Sequence, residues 1–134
     1  MILLVEDNPG DVVLFTEMLR SSGWSVDVDV AQDGESALTK LQEAAEQNAC
    51  YDAMVLDLNL PKIGGFEVLE RIRAEQVCPA MMRLVLSSSA LEADQARARA
   101  LGADAYFVKP SEFPAYDDLL RAIRSAIETG RPNA

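Results

Sequence analysis

The segment YDAMVLDLNLPKIGG, residues 51–65, joins an apolar run directly to a single carboxylate. Residues 53–56 have the composition of a strand that is buried on both faces of a sheet. Asp57 follows this run at once, and a loop with one proline and two glycines comes behind it. A charge at the end of a buried strand is costly unless it has partners. The reason for this carboxylate must therefore be sought in the rest of the chain.

The rest of the chain alternates short strand-like runs with amphipathic segments. This alternation predicts a parallel sheet covered by helices on both faces, which is the doubly wound α/β class. The second run alternates strictly between polar and apolar residues, as in an edge strand with one wetter face. An edge position for this strand favours the order 2-1-3-4-5 for the five strands. The predicted strands cover residues 2–5, 26–30, 53–56, 84–86 and 106–108, and the predicted helices about 9–22, 34–48, 65–75, 90–101 and 113–128.

Two of the predicted helices begin with capping signals. Asn8 supplies an N-cap before Pro9, and Asp11 places an acid in the first turn, where the helix dipole favours a negative charge. Ser89 and Glu92 have the spacing of a capping box for the fourth helix. We expect residues 1–128 to form one domain, followed by a short tail at residues 129–134.

The composition excludes several classes of function. The 134 residues are 49% hydrophobic and 25% charged, as in ordinary globular domains, and no apolar run is long enough for a membrane helix. The chain has no histidine, which removes His-based triads and His-ligated metals. A formal net charge of −10 repels phosphate backbones, so we expect no nucleic-acid binding. We expect a cytoplasmic protein.

The two cysteines, Cys50 and Cys78, fit neither a CxxC motif nor a zinc spacing. We expect them to be buried or half-buried thiols, with a disulfide or a metal-binding role as the less favoured alternative.

Polar residues follow four of the predicted strands at the point where each strand ends. Glu6 and Asp7 follow the first strand, Asp57 the third, Ser87 the fourth and Lys109 the fifth. The carboxyl ends of parallel strands lie at one edge of the sheet, where such folds bind their ligands. We therefore expect three carboxylates, a hydroxyl and an ammonium group to converge there.

Three neighbouring carboxylates require compensating positive charge. Two like charges 4 Å apart repel by about 4 kcal/mol at an effective dielectric constant near 20. Lys109 can offset one charge, and a divalent cation can offset the others. Because the donors are all oxygen atoms, Mg²⁺ is the expected ion, with Mn²⁺ as a substitute. A carboxylate nucleophile, a metal and a cation together indicate a phosphoryl-transfer site.

Four motifs resemble the receiver domain of bacterial two-component response regulators: LLVEDNPGD, VLDLNLPKIGGFEVL, LVLSSS and GADAYFVKP. They occur in order and cover essentially the whole chain. Residues 8–11 and 58–61 are most similar to stand-alone regulators that are paired with phytochrome-type histidine kinases. The resemblance implies the flavodoxin-like receiver fold, and a sensor histidine kinase as the source of the phosphoryl group.

The resemblance also implies roles for the residues at the strand ends. Asp57 matches the phosphoacceptor, which forms an acyl phosphate. Asp7 matches a direct Mg²⁺ ligand, as does Asp57 itself, and Glu6 matches an acid that acts through a bound water. Asn59 matches the position whose main-chain carbonyl ligates the ion.

Three further residues match positions that respond to the phosphoryl group. Lys109 matches the lysine that pairs with Asp57 and then with the phosphate, and the bond to Pro110 matches one that is often cis. Ser87 matches the hydroxyl that hydrogen-bonds a phosphoryl oxygen, and Tyr106 the aromatic residue that reorients with it. From the residues alone, Ser87 could instead belong only to a loop and helix cap, as the less favoured alternative, and Tyr106 could equally belong to the core.

One position departs from the family pattern. Residues 63–65 read Ile-Gly-Gly, where many receivers have Met-Asp-Gly. We expect Gly64 to loosen the loop after Asp57 without changing the chemistry.

The resemblance implies a phosphorylation-switched module that signals by protein contact or by relaying its phosphoryl group to another histidine. Such a module catalyses only its own phosphorylation and dephosphorylation, and so is not an enzyme in the usual sense. Its output face would comprise the fourth helix, the fifth strand and the fifth helix, through which some receivers form homodimers. The kinase, the output partner, the oligomeric state and the phosphoryl lifetime stay open.

Two other functions share features with this sequence. A phosphatase of the haloacid-dehalogenase type also uses an Asp nucleophile and Mg²⁺, but it needs a second acid two residues later, where this chain has Asn59. A pseudo-receiver would bind partners without phosphorylation, and the complete set of polar residues at the strand ends argues against it.

Overall fold

The strands and helices alternate strictly along the chain in a computed structural model, which describes residues 1–130. All strand pairs are parallel, and the sheet order is β2-β1-β3-β4-β5, which confirms the predicted topology. The strands are β1 (Ile2–Val5), β2 (Val28–Ala31), β3 (Ala53–Leu56), β4 (Met82–Ser87) and β5 (Ala105–Val108). The helices are α1 (Pro9–Ser21), α2 (Gly34–Glu46), α3 (Gly65–Ala74), α4 (Glu92–Ala100) and α5 (Phe113–Thr129).

The sheet separates two apolar layers, and this explains the continuously apolar strands. Leu3 and Val5 of β1 pack in one layer with α2 and α3, whereas Ile2 and Leu4 pack in the other with α1 and α5. Successive side chains of a strand point to opposite faces, so a strand between two helical layers needs apolar residues at every position. β1 and β3 occupy the centre of the sheet and are buried along their whole length. Their carboxyl ends therefore emerge side by side at one edge.

The edge strand β2 begins two residues later than the alternating pattern predicts. Its pairing with β1 begins at Val28, opposite Ile2, while the N–H of Val26 donates to the carbonyl of Trp24 in a turn. Residues of an edge strand pair on one side only, so the partner strand decides where the ladder begins. The half-buried positions along β2 agree with the predicted wetter face.

The capping signals in the sequence predict the start of α1 correctly but not the start of α4. The side chain of Asn8 accepts hydrogen bonds from the N–H groups of Gly10 and Asp11, as expected for the N-cap of α1. The predicted capping box of the fourth helix is wrong, because α4 begins at Glu92 and its N-cap is Leu91. Ser89 lies earlier, where its hydroxyl accepts from the N–H of Leu91 and donates to Asp94.

The end of the chain is only partly described. Thr129 is the last residue of α5, and Gly130 follows it in a left-handed conformation. Residues 131–134, most of the predicted tail, lie outside the described residues. From residue 1 to residue 130, no helix combines the length and the apolar character that a bilayer crossing requires.

The two cysteines form a disulfide, so the prediction of free thiols is wrong. Cys50 is exposed just before β3, and Cys78 is buried in the connection between α3 and β4. Because β3 and β4 are neighbours, the segments that enter them meet at the same edge of the sheet, with the two Cα atoms 5.8 Å apart. Sequence spacing does not reveal this proximity, which arises from the strand order.

Loss of the disulfide is expected to lower the free energy of unfolding. The bond closes a loop with a sequence separation of 28 residues, and a loop of that length corresponds to about 3–4 kcal/mol in the chain-entropy treatment. Urea denaturation of Cys50→Ser against the oxidised wild type measures the loss. Dithiothreitol should destabilise the wild type by the same amount as Cys50→Ser does, and it should leave the stability of the Cys50→Ser/Cys78→Ser variant unchanged. Equal stability of the oxidised and reduced wild type would contradict the prediction.

Candidate functional site

The sheet edge formed by the carboxyl ends of the strands gathers the predicted polar residues. Glu6 and Asp7 follow β1, Asp57 follows β3, Ser87 ends β4 and Lys109 follows β5. Glu6, Asp57 and Ser87 are buried, with 4%, 6% and 0% of their surface exposed, whereas Asp7 is exposed. These three are the buried polar or charged residues of the described chain, and all of them lie at this edge.

Lys109 is the centre of the charged group. Its Nζ lies 3.0 Å from Oε2 of Glu6, 3.0 Å from Oδ2 of Asp57 and 2.8 Å from Oδ2 of Asp11. Burial by itself would lower the pKa of Lys109, but the hydrogen bonds to these three carboxylates outweigh it and raise the pKa above its ordinary value. The ammonium group is therefore firmly charged and is shared among three acids.

Glu6 is the acid most affected by this crowding. Its burial, together with the neighbouring carboxylate of Asp57, raises the pKa of Glu6 to about 7, although Lys109 and the N–H of Asn8 act in the opposite direction. Oε1 of Glu6 accepts from the Asn8 N–H at 3.1 Å, and Oε2 accepts from Lys109. Both oxygens thus have protein partners, and the negative charge at the edge exceeds what Lys109 alone can balance.

The acids are arranged so that they can hold a metal ion. Glu6, Asp7 and Asp57 each offer one carboxylate oxygen, and these oxygens lie within 4.8 Å of one another. A set of oxygen donors with excess negative charge suits Mg²⁺ or Mn²⁺. Asn59 also lies beside the group, since its N–H donates to Oδ1 of Asp57 at 3.2 Å. The role of the Asn59 carbonyl stays a prediction.

The stability of the metal-free protein is expected to fall as the pH rises from 5 to 7.5. The folded protein holds the proton of Glu6 up to a pKa of about 7, whereas the unfolded chain loses it near the ordinary value of 4.5. The folded state then binds more protons than the unfolded state, so stability decreases with pH, by about 1–3 kcal/mol over this window.

Urea denaturation at the two pH values, in EDTA, measures this difference. Glu6→Gln, which resembles the protonated acid, should lose most of the decrease, and the exposed Glu17→Gln should retain it. Saturating Mg²⁺ should also reduce the decrease. A wild-type protein with the same pH dependence as Glu6→Gln would overturn the prediction.

The loop after Asp57 is fixed by two glycines that have no room for a side chain. A Cβ at Gly65 would lie 2.6 Å from the carbonyl oxygen of Asp57, and one at Gly34 would lie 2.0 Å from the carbonyl oxygen of Ile63. The loop is therefore packed against the start of α2, and Lys62 adds an ion pair with Asp33 at 3.6 Å.

Gly64 does not need the conformational freedom of glycine. A Cβ at Gly64 would find its nearest atom, the carbonyl oxygen of Leu58, at 3.9 Å, which is ordinary contact. The φ of Gly64 is −72°, which any residue adopts. Gly64 is the N-cap of α3 without a side-chain hydrogen bond, and the expected loosening of the loop stays a prediction.

Ser87 and Tyr106 contact the same residue in the loop after β4. Oγ of Ser87 accepts from the N–H of Ser89 at 3.2 Å, and the hydroxyl of Tyr106 donates to the Ser89 carbonyl at 2.8 Å. Tyr106 is half-buried and packs against the core. The main chain of Lys109 also contacts this region, since its N–H donates to the Ser87 carbonyl at 2.8 Å. The bond between Lys109 and Pro110 is trans, so the cis bond that the resemblance implies is not present.

The structure adds Asp11 to the residues that the sequence indicated. The sequence assigns it only to the start of α1, yet its carboxylate contacts Lys109. The available signal was its position: Asp11 is four residues after Asp7, in the first turn of α1, which follows β1 at the same sheet edge.

Comparison with known proteins identifies this arrangement. Residues 2–124 match the family model described as the response regulator receiver domain. The chain belongs to this family. The receiver is 35% identical over 109 residues to the transcriptional regulatory protein TrcR of Mycobacterium tuberculosis. The matched region is 81% of this chain and 39% of TrcR. The receiver is also 35% identical over 108 residues to a gliding motility regulatory protein of Myxococcus xanthus. That match covers 81% of this chain and 13% of the relative.

Solved structures of similar length extend the comparison. The Mn²⁺-bound response regulator Rcp1 is 31% identical, with a TM-score of 0.80 and coverage of 99% of this chain and 98% of Rcp1. The phosphorylated cyanobacterial phytochrome response regulator RcpA is 32% identical, with a TM-score of 0.83 and coverage of 96% and 94%. The receiver is thus similar to a response regulator of a cyanobacterial phytochrome. Receiver domains are phosphorylated signalling modules of two-component systems, and they are generally not enzymes.

A third structure bears on the metal. The receiver domain of the histidine kinase PA1611 from Pseudomonas aeruginosa holds a magnesium ion in its active-site cleft. It is 31% identical to this receiver, with a TM-score of 0.73 and coverage of 95% and 96%. The three carboxylates of Glu6, Asp7 and Asp57 supply oxygen donors for an ion of this kind.

Proposed function

We propose that Asp57 accepts a phosphoryl group from a sensor histidine kinase, with Mg²⁺, and that the phosphorylated protein signals by contact with a partner or by phosphorelay. One observation carries the proposal. The buried carboxylate of Asp57 has one oxygen on Lys109 and the other on the N–H of Asn59, beside the acids Glu6 and Asp7. This is a nucleophile held in place next to the charges that a phosphoryl group requires.

Each residue of this site has a part in the proposed phosphoryl transfer. An oxygen of Asp57 attacks the phosphorus atom, the bond from phosphorus to the kinase's imidazole nitrogen breaks, and its electron pair leaves with the imidazole. Asp7, Asp57 and the Asn59 carbonyl, with Glu6 acting through a water, would hold Mg²⁺, and the ion would supply positive charge to neutralise the phosphoryl oxygens. Lys109 donates to one phosphoryl oxygen and Ser87 to another.

Phosphorylation can then change a distant surface. It raises the negative charge at Asp57 from one to about two. A phosphoryl oxygen that attracts Ser87 draws in the loop at Ser89, which Tyr106 also holds through its hydroxyl. We propose that this movement shifts the population between two states of the face formed by α4, β5 and α5. The exposed apolar residues Val108 and Phe113 belong to that face and are suited to contact a partner or a second copy.

The wider assignments are also proposals. The similarity to RcpA supports a phytochrome-type kinase as the phosphoryl donor. We propose that this receiver, which extends to Thr129 at the end of α5, is stand-alone and acts in the cytoplasm. The strongly negative charge supports protein partners rather than nucleic acid or anionic membranes.

Labelling with acetyl phosphate tests the proposed function. The wild type should take up phosphate in Mg²⁺ but not in EDTA, and hydroxylamine should remove it, as it does from an acyl phosphate. Absence of labelling would indicate a pseudo-receiver. Sustained hydrolysis of a phosphomonoester such as p-nitrophenyl phosphate would instead indicate an enzyme of the haloacid-dehalogenase type.

A further inference from the structure

The ammonium group of Lys109 has no free hydrogen for a phosphoryl oxygen. It has three N–H bonds, and three carboxylate oxygens lie at hydrogen-bond distance from its Nζ: those of Glu6, Asp57 and Asp11. If Lys109 is to bind the phosphoryl group on Asp57, one of these hydrogen bonds must be given up. The partner that is released sets part of the free energy of the exchange.

Of the two carboxylates that phosphorylation leaves unmodified, Asp11 can leave Lys109 at the lower cost. Its side chain is 40% exposed, whereas those of Glu6 and Asp57 are 5% and 7% exposed. A carboxylate that is already in contact with solvent regains water when its ion pair breaks, but a buried one does not. Within residues 1–130, the carboxylate of Asp11 has no other hydrogen-bond or ion-pair partner that would restrain it.

The position of Asp11 also stabilises its released state. Asp11 lies in the first turn of α1, a helix of 13 residues, where the free N–H groups favour a negative charge. A cavity of about 40 Å³ adjoins Asp11, Lys109 and the buried Tyr116. This volume exceeds the space that one water molecule needs, so the two charged groups have room to separate.

We infer that Asp11 is a positioning residue that holds Lys109 before phosphorylation and gives it up to the phosphoryl group. Asp11 thereby competes with the phosphoryl oxygen and restrains the phosphorylated state. The inference rests on the proposed phosphorylation of Asp57, and it adds a residue that acts through Lys109 rather than on the phosphoryl group itself.

The affinity for beryllofluoride, which forms a phosphoryl-like adduct on aspartate, tests the competition. In saturating Mg²⁺, Asp11→Ala should bind beryllofluoride roughly three- to tenfold more tightly than the wild type, because Lys109 no longer has to break a charged hydrogen bond. Glu17→Ala is the matched control, since it removes an acid from the exposed face of the same helix. Its affinity should stay within about twofold of the wild type.

A double-mutant cycle separates the action through Lys109 from a general effect of charge. In a Lys109→Met background, Asp11→Ala should no longer change the affinity for beryllofluoride. An equal gain in both backgrounds would mean that Asp11 acts only by its negative charge, which would overturn the inference. No gain in the wild-type background would also overturn it.

A measurement on the metal-free protein is independent of phosphorylation. Nitrogen-15 NMR of the lysine ammonium groups should show slow hydrogen exchange for Lys109 in the wild type and faster exchange in Asp11→Ala, with partial recovery in Asp11→Glu. Unchanged exchange in Asp11→Ala would contradict the inference. If the wild type failed to label with acetyl phosphate, the proposed function would fail, while this experiment would still decide whether Asp11 holds Lys109.

Discussion

Replacement of Asp57 with Asn is expected to abolish phosphoryl transfer to this protein. The amide nitrogen of Asn is not a nucleophile, so no acyl phosphate can form, and labelling by acetyl phosphate should fall at least about 100-fold. The matched control is Asp52→Asn, an exposed acid outside the site that pairs with the amino terminus. Labelling that persists in Asp57→Asn would place the phosphoacceptor elsewhere and would contradict the proposal.

The same variant should remain folded, which separates lost chemistry from lost structure. Contact with Asp57 is one of the causes that raise the pKa of Glu6, so removal of this charge relieves repulsion at the sheet edge. In metal-free buffer near pH 7, Asp57→Asn is expected to be at least as stable as the wild type in urea. Its stability should also decrease less between pH 5 and pH 7.5. A strongly destabilised variant would show that Asp57 holds the edge together by its charge.

A methyl group at Gly65 is expected to have the largest effect on stability among single substitutions in the loop after Asp57. The added Cβ would lie 2.6 Å from both the carbonyl oxygen of Asp57 and the Cα of Leu58, and neither backbone atom can move without moving the site. We expect Gly65→Ala to lower the free energy of unfolding by about 3 kcal/mol or more. Because the displaced backbone carries Asp57, labelling by acetyl phosphate should also slow.

Gly64→Ala is the matched control for this effect. It adds the same methyl group one residue earlier, where the nearest atom is 3.9 Å away. Its cost should stay below about 1 kcal/mol, since alanine is only a poorer N-cap than glycine. Urea denaturation of the two variants, with labelling rates measured in parallel, makes the comparison. Equal stability of Gly65→Ala and Gly64→Ala would show that the loop can rearrange and that the close packing at Gly65 is unimportant.

The strand order and the helical layers could be predicted because they depend on patterns that each segment carries by itself. β1 and β3 are apolar at every position, which only a strand between two helical layers requires. The boundaries of β2 could not be predicted as well, because the register of an edge strand is set by its neighbour. The same limit applies to α4, where Ser89 bonds to Asp94 and to the N–H of Leu91 instead of capping the helix.

The convergence at the site follows from topology, and so the sequence indicated most of its members. Glu6, Asp7, Asp57 and Lys109 each follow a strand, and parallel strands end at one edge. Asp11 follows no strand, and its spacing from Asp7 only suggests its direction.

The sequence by itself determined the fold class, the strand order and the acids and lysine that meet at the sheet edge, since these follow from hydrophobic pattern and strand direction. Only the tertiary structure decided which groups share Lys109, which glycines lack room for a side chain, and that Cys50 and Cys78 are joined. Those features depend on distances of a few ångströms between segments that are far apart in the chain. Local patterns do not encode such distances, because they arise only when the packed helices and loops bring the segments together.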